Sequence, residues 1–166
     1  MKNKYNVIIR YVAWAATLTV MIVIFFHSAQ TAELSSAASG SVAEKLLSLF
    51  LSDFSELDES EKISIIENSQ HIVRKSAHFL VYMTLCVCCF TALSTYSIKK
   101  KTVFLSAVGI SVFYAMTDEI HQLFVEGRAG RISDVLLDSV GAVTGALIGT
   151  LVFNLLFLKR KKGKTQ

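Results

Sequence analysis

Four long apolar stretches are the feature of this sequence that most restricts its fold. They cover residues 7–26, 77–96, 102–117 and 135–158. Roughly 20 helical residues cross a hydrocarbon core about 30 Å thick, so the stretch 102–117 must be short or recruit polar ends. Because an isolated segment in lipid satisfies its backbone hydrogen bonds only as a helix, the sequence predicts four transmembrane helices.

The composition fits this architecture and sets the fold class. Of the 166 residues, 52% are hydrophobic and 18% are charged, and there is no proline to break a helix. We therefore predict an all-α membrane protein, a four-helix transmembrane bundle with short amphipathic helices on the outer face between spans one and two. A single domain is expected over residues 1–158, followed by a basic cytoplasmic tail at 159–166.

The charged residues divide between two sets of segments, and this division predicts the topology. Together with Arg10 at the start of span one, the segments before span one, between spans two and three, and after span four hold 11 of the 17 basic residues and no acid. All 13 acids lie in 27–76 and 118–138. The positive-inside rule therefore places both termini in the cytoplasm and these two segments on the outer face.

Span one is too long for a signal peptide and lacks a small-x-small cleavage site, so we expect it to remain. The basic tail is expected to lie near anionic lipid and not to bind nucleic acid.

The largest stretch outside the spans, residues 28–73, is predicted to be extracytoplasmic and to hold two short helices. Ser41 and Glu44 have the spacing of a capping box, and a second amphipathic stretch runs from Asp58. Their mild amphipathicity favours helices that lie on the outer membrane surface or over the mouth of the bundle.

A cluster of polar and ionisable residues lies at the outer ends of spans two, three and four. Ionisable side chains beside a membrane are costly, so each one suggests a function. Gly127 and Gly130 let the chain turn between spans three and four, and Ser133 or Asp134 is expected to cap span four. Four-residue spacing gives the residues at 74, 78 and 82 one helix face and those at 134 and 138 another, and the residues at 118, 121 and 122 share a face of span three, with Glu119 about 100° round. All three groups lie at the same membrane depth. The sequence therefore predicts one polar pocket that opens to the outer face, built from Arg74, Lys75, His78, Tyr82, Asp118, Glu119, His121, Gln122, Arg128, Arg131, Asp134 and Asp138.

The residue types in this cluster are compatible with two kinds of chemistry. Its basic side chains suit a phosphate or carboxylate group, because arginine offers bidentate hydrogen bonds. His78 and His121, with Asp118 and Glu119 as neighbours, are candidates for general acid–base catalysis. A divalent metal is a weaker interpretation, since the spacing matches no known zinc pattern and basic residues are interspersed. We predict no metal and no cofactor.

A structural role is the alternative to a ligand site. In that case Arg74 or Arg128 pairs with Asp134 or Asp138, and the network only locks the bundle together. The number of polar groups exceeds what a bundle needs, which favours a site.

Span four carries glycines at four-residue spacing, namely Gly141, Gly145 and Gly149. Small residues at this spacing let helix backbones approach closely in lipid. We expect them to pack within the bundle, and a homodimer through the same three residues is the alternative.

Two motif blocks resemble the VanZ-like family of small bacterial membrane proteins, which is linked to teicoplanin resistance. They are "RKSAHFLVYMTL" (74–85) and "DEIHQLFVEGRAGRISDVLLDSVGAVTGALIG" (118–149), and "FFHSAQTAELS" (25–35) is also similar to a family stretch. The resemblance implies a multi-pass protein of the bacterial cytoplasmic membrane that contributes to glycopeptide resistance. Position 138 is Asp or Asn in the family, and Glu126 stands where many relatives have proline, which implies a less rigid loop here. The residues that the resemblance carries over are Arg74, Lys75, His78, Phe79, Tyr82, Asp118, Glu119, His121, Gln122, Arg128, Asp134, Asp138, Gly141 and Gly145.

Three functions are compatible with the residues and the resemblance. The favoured one is a non-enzymatic envelope protein that binds an anionic lipid-linked or peptidoglycan-related ligand in the outer pocket. The alternatives are a membrane-embedded hydrolase or transferase that acts on an envelope lipid, and a structural partner in an assembly. Membrane lipid is an expected partner in every case.

Overall fold

The protein is built from α-helices, as the sequence predicts. The computed structural model describes the backbone of residues 2–162 and the side chains of residues 7–155, and no strand occurs in this part of the chain. A short 3-10 turn lies at Phe54–Glu56. The five helices are α1 (Lys2–Ser28), α2 (Ala32–Phe50), α3 (Glu59–Leu93), α4 (Lys100–Gln122) and α5 (Ile132–Lys162).

Four of the helices, α1, α3, α4 and α5, are long and apolar enough to cross a membrane, which indicates a membrane protein. The short third apolar stretch does recruit polar ends. Helix α4 runs over 23 residues, or about 35 Å at 1.5 Å per residue. Helix α5 continues to Lys162, and residues 163–166 of the expected basic tail lie outside the described residues.

Helices do occupy the segment between spans one and two, as predicted, but neither is short and the second is not separate from its span. Helix α2 begins after Thr31, whose side chain accepts a hydrogen bond from the Leu34 backbone N–H at 3.4 Å. Ser41 therefore lies inside a 19-residue helix and caps nothing. The second stretch does begin at Asp58, whose carboxylate accepts the Glu59 backbone N–H at 2.8 Å. It then continues without a break into the second span, because no glycine or proline interrupts residues 59–93.

Helix α3 is therefore a 35-residue rod that extends beyond the apolar stretch at 77–96. Its length is about 52 Å at 1.5 Å per residue, well above the hydrocarbon thickness of about 30 Å. Helix α2 packs against its first half, since a Cβ atom added at Gly40 would lie 3.6 Å from the side chains of both Ile66 and Gln70. The two helices form a hairpin whose base borders the polar residues of the bundle.

Close contact between α3 and α5 forms the centre of the bundle. A Cβ atom at Gly141 or Gly145 would meet the α3 backbone, and one at Gly149 would meet an α3 side chain, so α5 packs closely against α3 along these glycines. This packing uses the glycine face within the chain, the role that the sequence favoured, and the face offered to a homodimer is covered by α3. The contacts are Gly141 with Phe79, Gly145 with Met83 and Cys86, and Gly149 with Phe90.

Candidate functional site

A polar cavity of about 180 Å³ lies where the α2–α3 hairpin meets the α4–α5 loop. Eight of the twelve residues that the sequence predicted line it, and they come from α3, from α4 and from the loop and first turn of α5. His71 and Ala32 also line this polar cavity. The eight are Arg74, Lys75, His78, Glu119, Gln122, Arg128, Arg131 and Asp134.

The loop between α4 and α5 is shaped by two glycines and by backbone hydrogen bonds. Gly127 has a φ of 71°, a left-handed conformation that favours glycine. Gly130 lies against the Glu119 carbonyl, where a side chain would clash. The Arg131 backbone N–H donates to Glu119 Oε2 at 2.8 Å, so the carboxylate holds the loop. Because α5 begins at Ile132, the expected cap at position 133 or 134 is wrong.

The start of α2 is tied to the same loop. The backbone N–H of Ala32 donates to the Glu126 carbonyl at 3.2 Å. This bond joins the start of α2 to the α4–α5 loop beside Ala32 and Gly127, which both line the polar cavity. The contact therefore restrains a loop for which the resemblance implied less rigidity.

Two arginines of the polar cavity have no carboxylate partner among the described side chains. Arg74 Nη2 donates to Ser36 Oγ at 2.7 Å, and Arg128 Nη1 donates to Ser35 Oγ at 3.5 Å. Arg74 Nε, Arg128 Nε and Arg128 Nη2 are buried and have no hydrogen-bond partner within the described residues. Burial, together with the nearby Arg74 guanidinium, lowers the pKa of Arg128. A buried donor without a partner is costly, so these groups have free capacity for an anion.

The two carboxylates considered as partners for the arginines lie nearer to other side chains. Lys75 Nζ lies 3.3 Å from Asp134 Oδ1. Asp138, which is 1% exposed, has its Oδ2 atom 3.8 Å from His78 Nδ1, a separation too long for a hydrogen bond. The pairing of Arg74 or Arg128 with these aspartates, on which the alternative structural role rests, is therefore not seen among the described side chains, because other side chains lie closer to both carboxylates.

A buried polar layer lies one turn further into the bundle, outside the lining of the polar cavity. The Tyr82 hydroxyl, His78 Nδ1 and both carboxylate oxygens of Asp138 have no hydrogen-bond partner within the described residues. His78 connects this layer to the polar cavity, because its side chain lines that cavity while its Nδ1 atom faces Asp138.

Asp118 joins helix α1 to helix α4. Its Oδ2 atom accepts hydrogen bonds from Ser28 Oγ at 2.8 Å and from Gln122 Nε2 at 3.0 Å. Gln122 also lies 3.3 Å from Ser28 Oγ. His121 lies apart from the polar cavity, with its ring centroid 4.9 Å from that of Phe25. The predicted face of α4 therefore divides, with Gln122 at the cavity and His121 against α1.

Sequence reasoning missed the serines that contact these groups. Ser28 lies 90 residues from its partner Asp118, Ser35 lies 93 from Arg128, and Ser36 lies 38 from Arg74. The stretch 25–35 was noted for its resemblance to a family motif, and it contains the first two of these serines. That resemblance was the available signal, whereas serine by itself is too common beside helices to indicate a site.

The arrangement around the polar cavity favours binding of an anion over binding of a metal. Four cationic and two acidic side chains line it. In the part of the chain with described side chains, no three His, Cys, Asp or Glu residues come close enough to hold a metal ion. Unpaired guanidinium donors are suited to phosphate or carboxylate oxygens.

Comparison with known proteins gives one match. The family model described as VanZ/LLP1 matches residues 13–154, which is most of the chain. No curated protein and no solved structure matches. The matched region includes both motif blocks and all the residues that line the polar cavity.

Proposed function

Because the chain belongs to the VanZ/LLP1 family, we propose that it is a bacterial cell-envelope membrane protein that binds an anionic group in the polar cavity. The ligand is lipid-linked or peptidoglycan-related. Through this binding the protein contributes to resistance against glycopeptide antibiotics of the teicoplanin type, as the family resemblance implies. The observation that carries the proposal is the pair of half-buried arginines, Arg74 and Arg128, which have no carboxylate partner among the described side chains and keep buried nitrogen atoms without hydrogen-bond partners.

The energetics of the two guanidinium groups support an anionic ligand. Three of their nitrogen atoms are buried and have no hydrogen-bond partner among the described residues. Hydrogen bonds between ionised groups are about twice as strong as neutral ones, so an anion would offset the cost of this burial. Lys75 and Arg131 add positive charge to the same wall.

The size of the polar cavity restricts the ligand. Its volume is about 180 Å³, below the range of about 300–1,000 Å³ that encloses drug-sized molecules. A phosphate-sized group fits this space, whereas a whole glycopeptide antibiotic does not. The proposed contribution to resistance therefore works through an envelope ligand and not through capture of the drug.

Removal of both arginine side chains tests this proposal. In detergent, Arg74→Ala/Arg128→Ala should bind dihexanoyl phosphatidic acid at least about tenfold more weakly than wild type, because charge-assisted hydrogen bonds are lost. Isothermal titration calorimetry measures the affinity. Equal affinity of the two proteins would overturn the proposal.

Lys45→Ala/Lys62→Ala is the matched control, since it removes two positive charges from α2 and α3 without touching the polar cavity. Its affinity should equal that of wild type. The lipid recovered from wild type should be intact. A cleaved headgroup would instead favour the alternative of a hydrolase or transferase, with His78 beside Asp138 as its acid–base group.

We also propose that the polar cavity faces the outside of the cytoplasmic membrane. The segments that border it carry all 13 acids, and the opposite ends of the spans carry 11 basic residues and no acid. Basic residues are retained on the cytoplasmic side. The family resemblance to bacterial proteins supplies the choice of membrane.

Labelling of introduced cysteines checks this orientation. Ala38 on α2 and Ser97 between α3 and α4 are both exposed and lie at opposite ends of the bundle. A membrane-impermeant thiol reagent should label Ala38→Cys in intact cells and Ser97→Cys only after permeabilisation. Wild type, with its three cysteines inside α3, gives the background. Labelling of Ser97→Cys in intact cells would reverse the orientation.

A further inference from the structure

A second cavity, of about 110 Å³, lies between α1 and α3 beside the polar cavity. Four of its lining residues are the apolar Val23, Ile24, Ala77 and Val81. Its polar lining residues are His27, Ser28 and His78. Ser28 donates a hydrogen bond to Asp118, and His78 lies 3.8 Å from Asp138. We call this space the apolar cavity.

The two cavities share a wall. The His78 side chain lines both of them. Ser28, which lines the apolar cavity, accepts a hydrogen bond at 3.3 Å from Gln122, which lines the polar cavity. The side chains of Ser28, His78 and Gln122 therefore lie where the cationic space borders the apolar space.

The apolar cavity opens sideways between two membrane-spanning helices. Val23 on α1 is 53% exposed, and Ala77 on α3 is also exposed. Both residues belong to helices long and apolar enough to cross a membrane, so this opening faces lipid. A chain that leaves the polar cavity past His78 would enter the hydrocarbon region directly.

We propose that the two cavities form one site for a membrane lipid with a phosphate headgroup, whose phosphate lies in the polar cavity and whose first chain segment lies in the apolar cavity between α1 and α3. This inference rests on the proposed function and specifies its ligand. Charge complementarity selects the phosphate, since the unpaired guanidinium groups of Arg74 and Arg128 lie there. A ligand of this kind enters from the bilayer, and a water-soluble anion leaves the apolar cavity unused.

The lipid chain in the apolar cavity determines which ligands can bind more than it raises their affinity. Lipid tails are as apolar as leucine side chains, so moving a chain from bilayer to protein brings little hydrophobic gain. The apolar cavity instead lets a headgroup bind while its chain stays in the membrane. Filling this cavity should therefore exclude long-chain lipids by steric overlap and leave a headgroup without a chain unaffected.

Photolabelling of the wild-type protein tests the position of the chain. Dioleoyl phosphatidic acid with a diazirine near the headgroup end of one acyl chain is bound and activated, and the labelled peptides are identified by mass spectrometry. Label should concentrate at Val23, Ile24 or Val81 and be lost in Arg74→Ala/Arg128→Ala. Equal labelling of Phe113, which is 69% exposed on α4, would overturn the inference.

A cavity-filling substitution gives the second measurement. Ala77→Phe should weaken binding of dioleoyl phosphatidic acid at least about tenfold, the effect of overpacking a filled site, and leave glycerol 3-phosphate binding unchanged. Ala15→Phe is the matched control, because Ala15 is an exposed alanine of α1 that lines neither cavity. It should change neither affinity.

Failure of the proposed anion site can be distinguished from failure of the lipid-chain site. If the double arginine variant binds both probes as wild type does, the polar cavity is no anion site and the proposed function falls together with this inference. If the arginines matter while Ala77→Phe binds the long-chain lipid as wild type does, the proposed function stands and the chain site is wrong.

Discussion

Replacing Gly145 by alanine is expected to lower the free energy of unfolding by about 3 kcal/mol, the upper end of the usual cost of overpacking. A Cβ atom at this position would meet the Met83 carbonyl and the Cys86 side chain. The carbonyl belongs to the backbone of α3, so no rotamer change relieves the clash and the two helices must separate. Denaturant unfolding in mixed micelles measures the effect.

Gly109→Ala is the matched control, since Gly109 is also a helical glycine of a span but has nothing within 4 Å of an added Cβ. Its stability should equal that of wild type or exceed it by up to about 1 kcal/mol, because alanine has the higher helix propensity. Equal stability of the Gly145 and Gly109 variants would contradict close packing of α3 against α5.

Removing both donors to Asp118 is expected to have a comparable effect. Ser28→Ala/Gln122→Ala leaves a 5% exposed carboxyl group without the two hydrogen bonds that it accepts. A buried polar group that loses its partners costs about 1–3 kcal/mol, and more when charged, so we expect a loss of about 3 kcal/mol. The same unfolding measurement applies.

Two further variants separate this network from a general loss of packing. Adding Asp118→Leu to the double variant should recover most of the stability, because it removes the unsatisfied group at similar volume. Ser111→Ala should cost much less, since this buried hydroxyl donates to the Ala107 carbonyl of its own helix and its removal leaves no carboxyl group unsatisfied. A loss of 3 kcal/mol in Ser111→Ala as well would rule out a special role for Asp118.

The sequence predicted the membrane spans better than it predicted the helices between spans one and two. Apolar stretches reveal a span directly, but the polar residues from Glu59 to Arg74 resembled a separate amphipathic helix. Nothing in that stretch ends a helix, and α3 runs through it. The capping-box pattern at Ser41 was equally misleading, because Thr31 already begins the helix ten residues earlier. Local patterns show where a helix can begin and leave open where it does.

The candidate site was located by sequence, while its internal pairing was not. Arg74, His78 and Glu119 all line the polar cavity, as their positions at the ends of the spans predicted. His121 is a histidine like His78 and was predicted at the same membrane depth, but it lies against Phe25. A rotation of one residue around α4 decides between these positions, and the periodicity of one helix says nothing about its orientation toward the others.

The sequence by itself determined that this chain has four segments long and apolar enough to cross a membrane and that its ionisable residues gather at their ends. The sequence suffices for this because a segment that crosses a bilayer must form all its backbone hydrogen bonds within itself and must be long enough to span the hydrocarbon core. Both conditions depend only on residues that are close together in the sequence. Only the tertiary structure decided that Lys75 pairs with Asp134 while Arg74 and Arg128 contact serines, and that an apolar cavity lies beside them between α1 and α3. These features depend on distances between side chains of different helices, which helix packing sets and residue spacing does not.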